Sequence, residues 1–157
     1  MCQSSDAEAD KITCSTNNLP IVGEGSFDCA PNTDVSMGEA CALICNNGFY
    51  PAYSSQAVCE EEKTNQSGVW SDGSFVCHEI TCSTNNLPIV GEGSFDCAPN
   101  TDVSMGEACA LICNNGFYPA YSSQAVCVEG MTNQGGEWSD GTFVCHGKRC
   151  QFILYTL

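Results

Sequence analysis

The chain contains the same 68-residue unit twice, as residues 12–79 and again as residues 80–147. The first 48 positions of the two copies, 12–59 and 80–127, are identical, loops included. Surface loops normally tolerate change, so their identity indicates either a recent duplication or one environment around every copy. A repeat period of 68 residues overrides the single-domain interpretation that a length of 157 residues allows. We therefore predict two domains, and a duplicated array of this kind is an unusual design for an enzyme.

The two copies differ only downstream of the fifth cysteine of each copy. The differing residues are Glu60, Glu62, Lys63, Ser67, Val69, Ser74 and Glu79 in the first copy, and Val128, Gly130, Met131, Gly135, Glu137, Thr142 and Gly147 in the second. After the second copy, Cys150 stands where the first cysteine of a third copy would stand. We therefore divide the chain into an N-terminal segment, residues 1–11, two modules, residues 12–79 and 80–147, and a tail or start of a further repeat, residues 148–157.

Fourteen cysteines in so short a chain are typical of a disulfide scaffold. Each copy carries six, an even number that lets each module close its own bridges, and this indicates an oxidising compartment. A module of this size has a small core, and each bridge across a loop of tens of residues contributes about 3 to 4 kcal/mol. We therefore expect an extracellular protein, secreted or on the cell surface, whose disulfides decide whether it folds.

The motifs predict no cofactor and no metal. Structural zinc sites use paired cysteine knuckles, often with histidine, whereas within each copy only the spacing Cys41-x3-Cys45 is close. Calcium is the alternative that the acidic residues leave open, because Asp28, Asp34 and Glu39 lie near the loop between the second and third cysteines. No EF-hand or other defined calcium-loop spacing accompanies them.

The charge of the chain is strongly negative, at −15. The first copy has nine acidic residues against Lys63, and the second has seven acidic residues and neither lysine nor arginine. This excludes nucleic acid as a partner, because nothing would neutralise the phosphates. No membrane span is expected either, since the apolar segment 151–157 is far too short to cross a bilayer. Residues 1–11 are polar and lack the apolar segment of a signal peptide.

Short extended segments separated by Gly, Pro and Asn turns predict a small all-β module. The most apolar run, Glu39–Cys45, suits either a helix of under two turns or a strand, and we interpret it as a strand. The sequence Asn46-Asn47-Gly48 after it predicts a hairpin. Gln56–Cys59 is expected to form a second strand, and Ser71–Ser74 a turn between two others.

Several positions taken together resemble the complement control protein module, also called the sushi domain. They are Gly38-x6-Cys45-x2-Gly48-Phe49, then Cys59, Gly68-Val69-Trp70-Ser71 and Cys77, with Cys14, Pro20 and Gly23 upstream. The pattern covers residues 14–77 and again 82–145. The resemblance implies an all-β fold of small disulfide-rich modules arranged end to end as a rod. Only four residues, His78–Thr81, separate the cysteines of adjacent modules, so the link should restrict the angle between them.

Six cysteines alone allow 15 connectivities. Sushi domains pair the first cysteine with the third and the second with the fourth, which implies the bonds Cys14–Cys59 and Cys45–Cys77, then Cys82–Cys127 and Cys113–Cys145. Two cysteines of each copy depart from this pattern, and we pair them as an added bridge, Cys29–Cys41 and Cys97–Cys109. The resemblance also implies that Trp70 and Trp138 pack in the cores beside these bonds. The proline that often precedes the last cysteine is absent, with Phe75-Val76 and Phe143-Val144 in its place.

Catalytic residues are not expected, because no nucleophile motif such as Gly-x-Ser-x-Gly surrounds any serine. The two histidines, His78 and His146, occupy the same repeat position, where a structural or exposed role is expected. Asn65 begins an N-glycosylation sequon, and its counterpart has lost the acceptor. The aromatic residues after the Asn-Gly turn predict core packing with one or two surface tyrosines, and the alternative is a binding patch; they are Phe49, Tyr50 and Tyr53, with Phe117, Tyr118 and Tyr121.

Cys2 and Cys150 lie outside the modules, and leftover cysteines in a secreted chain suggest intermolecular bonds. The acidic first segment and the basic pair Lys148-Arg149 would attract each other if subunits joined end to end. We therefore interpret the chain as an extracellular structural repeat protein that builds a filament, coat or appendage by head-to-tail association with itself. The alternative is a secreted or cell-surface recognition or adhesion module that binds a protein or a glycan, as the sushi arrays of complement regulators do.

Overall fold

The computed structural model describes residues 11–64, 67–132 and 135–148. Contacts divide the chain into two compact units, and the division falls between His78 and Glu79. Both units consist of short β-strands with one 3-10 turn each, so the predicted all-β class is confirmed.

The strands of the first unit are three to six residues long. They are β1 (Thr13–Ser15), β2 (Gly25–Phe27), β3 (Asp34–Ser36), β4 (Ala40–Cys45), β5 (Phe49–Pro51), β6 (Gln56–Glu61), β7 (Gly68–Trp70) and β8 (Cys77–Glu79), with a 3-10 turn at Thr16–Asn18. The second unit repeats them as β9 (Thr81–Ser83), β10 (Gly93–Phe95), β11 (Asp102–Ser104), β12 (Ala108–Cys113), β13 (Phe117–Pro119), β14 (Gln124–Glu129), β15 (Gly136–Trp138) and β16 (Cys145–Gly147), with a 3-10 turn at Thr84–Asn86.

Each unit contains one four-stranded sheet and two strand pairs. In the first unit the sheet has the order β2-β4-β6-β7, while β1 pairs with β3 and β5 pairs with β8. The second unit has the equivalent sheet β10-β12-β14-β15 and the pairs β9 with β11 and β13 with β16. The two nearly identical copies thus form the same topology twice.

The strand predicted for the most apolar run is confirmed as β4. Its residues alternate between the two faces of the sheet, as the period of two in a β-strand requires. Cys41 and Leu43 point inward and are 0% and 4% exposed, whereas Ile44 is 55% exposed. With β2 on one side and β6 on the other, β4 lies inside the sheet, so its backbone is hydrogen-bonded on both edges.

The hairpin predicted after β4 is wrong, because β5 pairs with β8 instead. A turn does form at this point, and the Phe49 N–H donates to the carbonyl oxygen of Asn46 at 3.0 Å. Gly48 has a φ of +89°, but Asn47 is not among the residues with positive φ. Two-residue hairpin turns require a positive φ at their first central residue, so this turn directs β5 away from β4.

Disulfide bonds make up much of the core. Cys41 and Cys59 are 0% and 1% exposed, and with Cys14, Ala57 and Trp70 they form one buried cluster. The six bonds of the two units are Cys14–Cys59, Cys29–Cys41, Cys45–Cys77, Cys82–Cys127, Cys97–Cys109 and Cys113–Cys145. These partners are the ones that the sushi resemblance and the added bridge imply.

The two tryptophans anchor the last strand of each sheet to the start of its unit. The indole N–H of Trp70 donates to the carbonyl oxygen of Ser15 at 2.9 Å, and Trp138 makes the same bond to Ser83 at 2.9 Å. Trp70 is 8% exposed and belongs to the buried core, whereas Trp138 is only partly buried. A buried indole normally finds such a partner for its N–H group.

Candidate recognition surface

Two of the three acidic residues considered for calcium accept hydrogen bonds from backbone N–H groups. The Asp28 carboxylate accepts the N–H of Ala42 at 2.7 Å, and the Glu39 carboxylate accepts the N–H of Ser36 at 3.0 Å. Among residues 11–64, 67–132 and 135–148, no group of three His, Cys, Asp or Glu side chains is placed to hold a metal ion. These two carboxylates therefore have a structural role at the ends of strands, and calcium stays the alternative to the prediction of no metal.

Each unit carries a cluster of two tyrosines around one histidine. In the first unit Tyr50 belongs to β5, Tyr53 follows it, and His78 belongs to β8. The ring centroid of His78 lies 6.1 Å from that of Tyr50 and 5.8 Å from that of Tyr53, with interplanar angles of 74° and 82°. We call these three residues the His78 cluster.

The second unit repeats this cluster with nearly the same geometry. Tyr118 of β13 lies directly opposite His146 of β16 in the strand register. The ring of His146 lies 6.3 Å from that of Tyr118 and 6.0 Å from that of Tyr121, at 71° and 85°. We call these three residues the His146 cluster. Pairing of the two strands thus brings together residues that are far apart in the sequence.

Both clusters face solvent. Tyr53 and Tyr121 are 69% and 67% exposed, and both histidines are exposed. Within the described part of the chain, no hydrogen bond uses a tyrosine hydroxyl or an imidazole nitrogen of these clusters. No member of either cluster belongs to the buried core. The prediction of core packing with one or two surface tyrosines already allows for exposed side chains at Tyr53 and Tyr121, so their exposure agrees both with it and with a binding patch.

A second exposed apolar feature is the loop between the first 3-10 turn and β2, residues 19–24, which we call the Ile21 loop. The side chain of Ile21 is fully exposed, at 101%, and so is that of its counterpart Ile89. A shallow groove of about 280 Å³ lies beside Ile21 and is lined by Leu19, Val22 and Phe27, among others. The local sequence does not predict this feature, because nothing in Leu19-Pro20-Ile21-Val22 distinguishes an exposed isoleucine from a buried one.

Two of the positions that differ between the copies face each other across strands. Glu60 of β6 lies opposite Val69 of β7, whereas in the second unit Val128 of β14 lies opposite Glu137 of β15. The two units therefore hold the same acidic–apolar pair with its members exchanged. Like charges directly opposite each other destabilise a sheet, so the exchange avoids a pair of glutamates.

Two further differences are coupled in the turn after β6. The carboxylate of Glu62 accepts a hydrogen bond from the Ser67 hydroxyl at 3.0 Å. In the second unit both positions are glycine, Gly130 and Gly135. A Cβ atom at Gly130 would lie 3.1 Å from Cγ of Glu137, so the exchanged glutamate occupies this space. These coupled differences lie on or beside the four-stranded sheet. The strands of the tyrosine–histidine clusters belong to the separate pairs β5–β8 and β13–β16.

Three predicted sites lie outside the described residues. They are the glycosylation site Asn65 and the cysteines Cys2 and Cys150, for which intermolecular bonds are predicted. In the described part of the chain, no helix is long and apolar enough to cross a membrane.

No protein-family model matches the chain. It is 26% identical to E-selectin of Canis lupus familiaris over 144 residues, which is 90% of this chain and 22% of that protein. E-selectin of Sus scrofa is 25% identical over 142 residues, again 90% of this chain and 27% of the relative. The sushi repeat-containing protein SRPX2 of Mus musculus is 27% identical over 114 residues, 73% of this chain and 21% of the relative. The chain thus spans between about a fifth and a quarter of the length of these relatives.

E-selectin and SRPX2 both carry sushi domains. The disulfide bonds within each unit agree with an extracellular location, since such bonds persist in oxidising environments. Strand class, disulfide partners and relatives lead to one conclusion: the chain is extracellular and is built from two sushi-like modules in tandem.

Proposed function

We propose that this chain is a non-enzymatic recognition or adhesion protein whose two modules present the same aromatic ligand-binding surface. The observation that carries the proposal is the repeated, exposed arrangement of two tyrosines around a histidine, in the His78 cluster and the His146 cluster. Tyrosine offers a large contact area with few rotatable bonds and a hydroxyl that donates and accepts hydrogen bonds. Such side chains are therefore well suited to binding when they stand on the surface.

The contacts of the histidines also support a binding role. A catalytic histidine needs a nucleophile or a carboxylate within hydrogen-bonding reach. Both His78 and His146 instead contact tyrosine rings, and in the described part of the chain neither is hydrogen-bonded to a hydroxyl or a carboxylate. Binding without chemistry is the role that this arrangement favours.

An adhesion assay tests the proposal. Beads coated with the oxidised wild-type chain are applied to collagen, fibronectin, laminin, immobilised polysaccharides and animal cells. We expect adhesion to at least one of these surfaces, and at least a tenfold loss when Tyr53→Ser, His78→Ser, Tyr121→Ser and His146→Ser are combined. The matched control is Ile44→Ser with Ile112→Ser, because both isoleucines are 55% exposed on a different sheet. Equal adhesion of the cluster variant and the wild type would contradict the proposal.

A second candidate function is self-association into a filament, coat or appendage, and the Ile21 loop favours it. A fully exposed isoleucine beside an apolar groove, repeated in both modules at the level of sequence, is a surface that one copy can offer to another. A head-to-tail contact of this kind forms fibres when its rotation does not close. The charge of −15 opposes association, so salt should strengthen it by screening the repulsion.

Sedimentation velocity over a range of protein and salt concentrations tests self-association. Species larger than the monomer should grow with both concentrations and disappear when Ile21→Ser and Ile89→Ser are combined. Electron microscopy of the non-reduced protein should show filaments, and non-reducing gels test the predicted bonds of Cys2 and Cys150. A monomer under every condition, with no filaments, would rule this function out.

A further inference from the structure

We propose that each tyrosine–histidine cluster binds a sugar unit of a neutral glycan, and that the ligand repeats this unit so that both modules engage it. The inference rests on the proposed recognition function and names the class of its ligand. It follows from four properties of the clusters: ring geometry, size, charge and repetition.

The ring geometry suits a sugar. The tyrosine rings stand at 74° and 82° to the imidazole in the His78 cluster, so neither tyrosine ring stacks face to face on the imidazole. A sugar ring has faces of C–H groups, which pack on aromatic rings, and edges of hydroxyl groups, which need hydrogen-bond partners. Two phenol hydroxyls and one imidazole provide both donors and acceptors within the same small area. None of these groups is used by another hydrogen bond in the described residues.

The size of the cluster favours a sugar over a protein. A stable protein–protein interface buries roughly 800 Å² on each partner and involves about 20–30 residues a side. Each cluster has three side chains, two on a pair of short strands and one in the segment that follows the first of these strands. An area this small matches one or two sugar units, and affinity then has to come from several such contacts on one ligand.

The charge of the modules favours an uncharged glycan. Residues 80–147 contain no lysine or arginine, and the whole chain has a charge of −15. In the sequence, Glu79 follows His78, and Lys148 stands two residues after His146. Sulfated and carboxylated glycans are normally held by arginine and lysine side chains, of which the whole chain has only four, so such glycans would meet mainly repulsion.

The repetition of the cluster indicates a repetitive ligand. Centroid distances are 6.1 and 5.8 Å in the first module and 6.3 and 6.0 Å in the second. Both clusters consist of two tyrosines and one histidine at equivalent positions, although the modules differ elsewhere. Two equal weak sites on one chain gain about 10² to 10⁴ in avidity on a ligand that presents the same unit many times.

Binding to defined polysaccharides tests the inference, with the full oxidised chain in solution and the polymers immobilised. The neutral probes are mannan, dextran and laminarin, and the anionic probes are heparin and hyaluronan. We expect binding to at least one neutral polymer and weaker binding to both anionic ones. Tyr53→Phe with Tyr121→Phe keeps the rings and removes two hydroxyls, so it should weaken binding about threefold to tenfold. The control Ile44→Ser with Ile112→Ser should bind as the wild type does.

A variant with one intact cluster separates avidity from affinity. Tyr53→Ser with His78→Ser should weaken binding to the immobilised polymer by about 10²-fold. With a short oligosaccharide of the same polymer in solution, the same variant should keep the wild-type dissociation constant per site and show half the number of sites. A loss of only about twofold on the polymer would overturn the repetitive-ligand inference.

Other outcomes distinguish the inference from the proposed function. Adhesion to a protein surface that the cluster variants abolish, without binding to any neutral polymer, would overturn the glycan inference and leave the recognition function standing. Stronger binding to heparin than to all three neutral polymers would likewise overturn it. Binding that no cluster variant reduces would overturn both.

Discussion

Gly25 lies where the main chain passes close to a disulfide. A Cβ atom at this position would stand 2.7 Å from Sγ of Cys77 and 2.6 Å from the carbonyl oxygen of Ile44. Its counterpart Gly93 meets Cys145 and Ile112 at 2.7 Å each. Both neighbours are held by the sheet and a disulfide and have little freedom to move away. Glycine is therefore required here by close approach, although its φ is not positive.

We predict that Gly25→Ala combined with Gly93→Ala lowers the free energy of unfolding of each module by about 1–3 kcal/mol, the usual cost of overpacking. Denaturant unfolding of the oxidised protein measures the change. The matched control is Gly23→Ala with Gly91→Ala, two residues earlier, where a Cβ meets nothing within 4 Å. That control should stay within about 0.5 kcal/mol of the wild type, as most surface substitutions do. Equal stability of the two variants would show that the close approach imposes no cost.

At the scale of elements, the strands β6 and β7 bring two of the positions that differ between the copies opposite each other. Glu60 faces Val69 in the first module, and Val128 faces Glu137 in the second. In the first module, Val69→Glu alone gives a pair of glutamates, and Glu60→Val alone gives a pair of valines. Only the double exchange regenerates the pair that the second module contains.

We predict that Val69→Glu destabilises the first module by about 0.5–1 kcal/mol, because two carboxylates then lie directly opposite each other. Combining it with Glu60→Val should recover most of this loss, which a double-mutant cycle measures as a coupling energy. The destabilisation should shrink at high salt, since both side chains are exposed. Additive effects with no salt dependence would mean that the exchange arose independently at the two positions.

The added disulfide between Cys29 and Cys41 joins the end of β2 to β4. It closes a loop with a sequence separation of 12 residues, and Cys41 is 0% exposed. Replacing both cysteines of each added bridge by alanine, at positions 29, 41, 97 and 109, should cost each module about 3 kcal/mol. Calorimetry measures the loss, and mass mapping of the remaining bonds should still find Cys14–Cys59 and Cys45–Cys77. Scrambled pairing of these four cysteines would show that the added bridge is needed to direct the others.

At the scale of the whole molecule, the two modules are separate compact units whose contacts divide between His78 and Glu79. The Glu79 carboxylate accepts a hydrogen bond from the Ser104 hydroxyl at 2.6 Å, and its contacts place Glu79 in the second unit although it also ends strand β8. The equivalent residue in front of the first module is Lys11, which has no acceptor to offer. Glu79 thus gives the second module a contact at its start that the first module lacks.

We predict that residues 79–148 fold alone with three disulfides, and that residues 80–148 fold with a free energy of unfolding lower by about 1 kcal/mol, the usual net contribution of a hydrogen bond. Urea unfolding of the two fragments measures this difference. Glu79→Gln in the longer fragment, which keeps an acceptor oxygen, should lose less than Glu79→Ala. Failure of both fragments to fold would mean that the modules depend on each other.

Much of the fold could be predicted from the residues because it depends on local pattern and on the number of cysteines. The strand at β4 follows from an apolar run that is too short for a stable helix, and two modules follow from the repeat. The predicted hairpin after β4 failed, because an Asn-Gly pair forms more than one kind of turn and the φ of Asn47 decides between them. Gly23 and Gly25 likewise look alike in the sequence, although only one of them touches a disulfide.

The sequence by itself determined the repeat and the all-β class, because both depend on the pattern of residues along the chain. The sushi resemblance implied four of the six disulfide bonds, and pairing the cysteines outside its pattern implied the other two. Only the tertiary structure decided that β5 pairs with β8, which places His78 between Tyr50 and Tyr53, and that Ile21 stands fully in solvent. Both outcomes depend on which distant segments come to lie beside a residue. Long-range pairing and the covering of a side chain are properties of the packed chain, and the local sequence around these residues does not specify them.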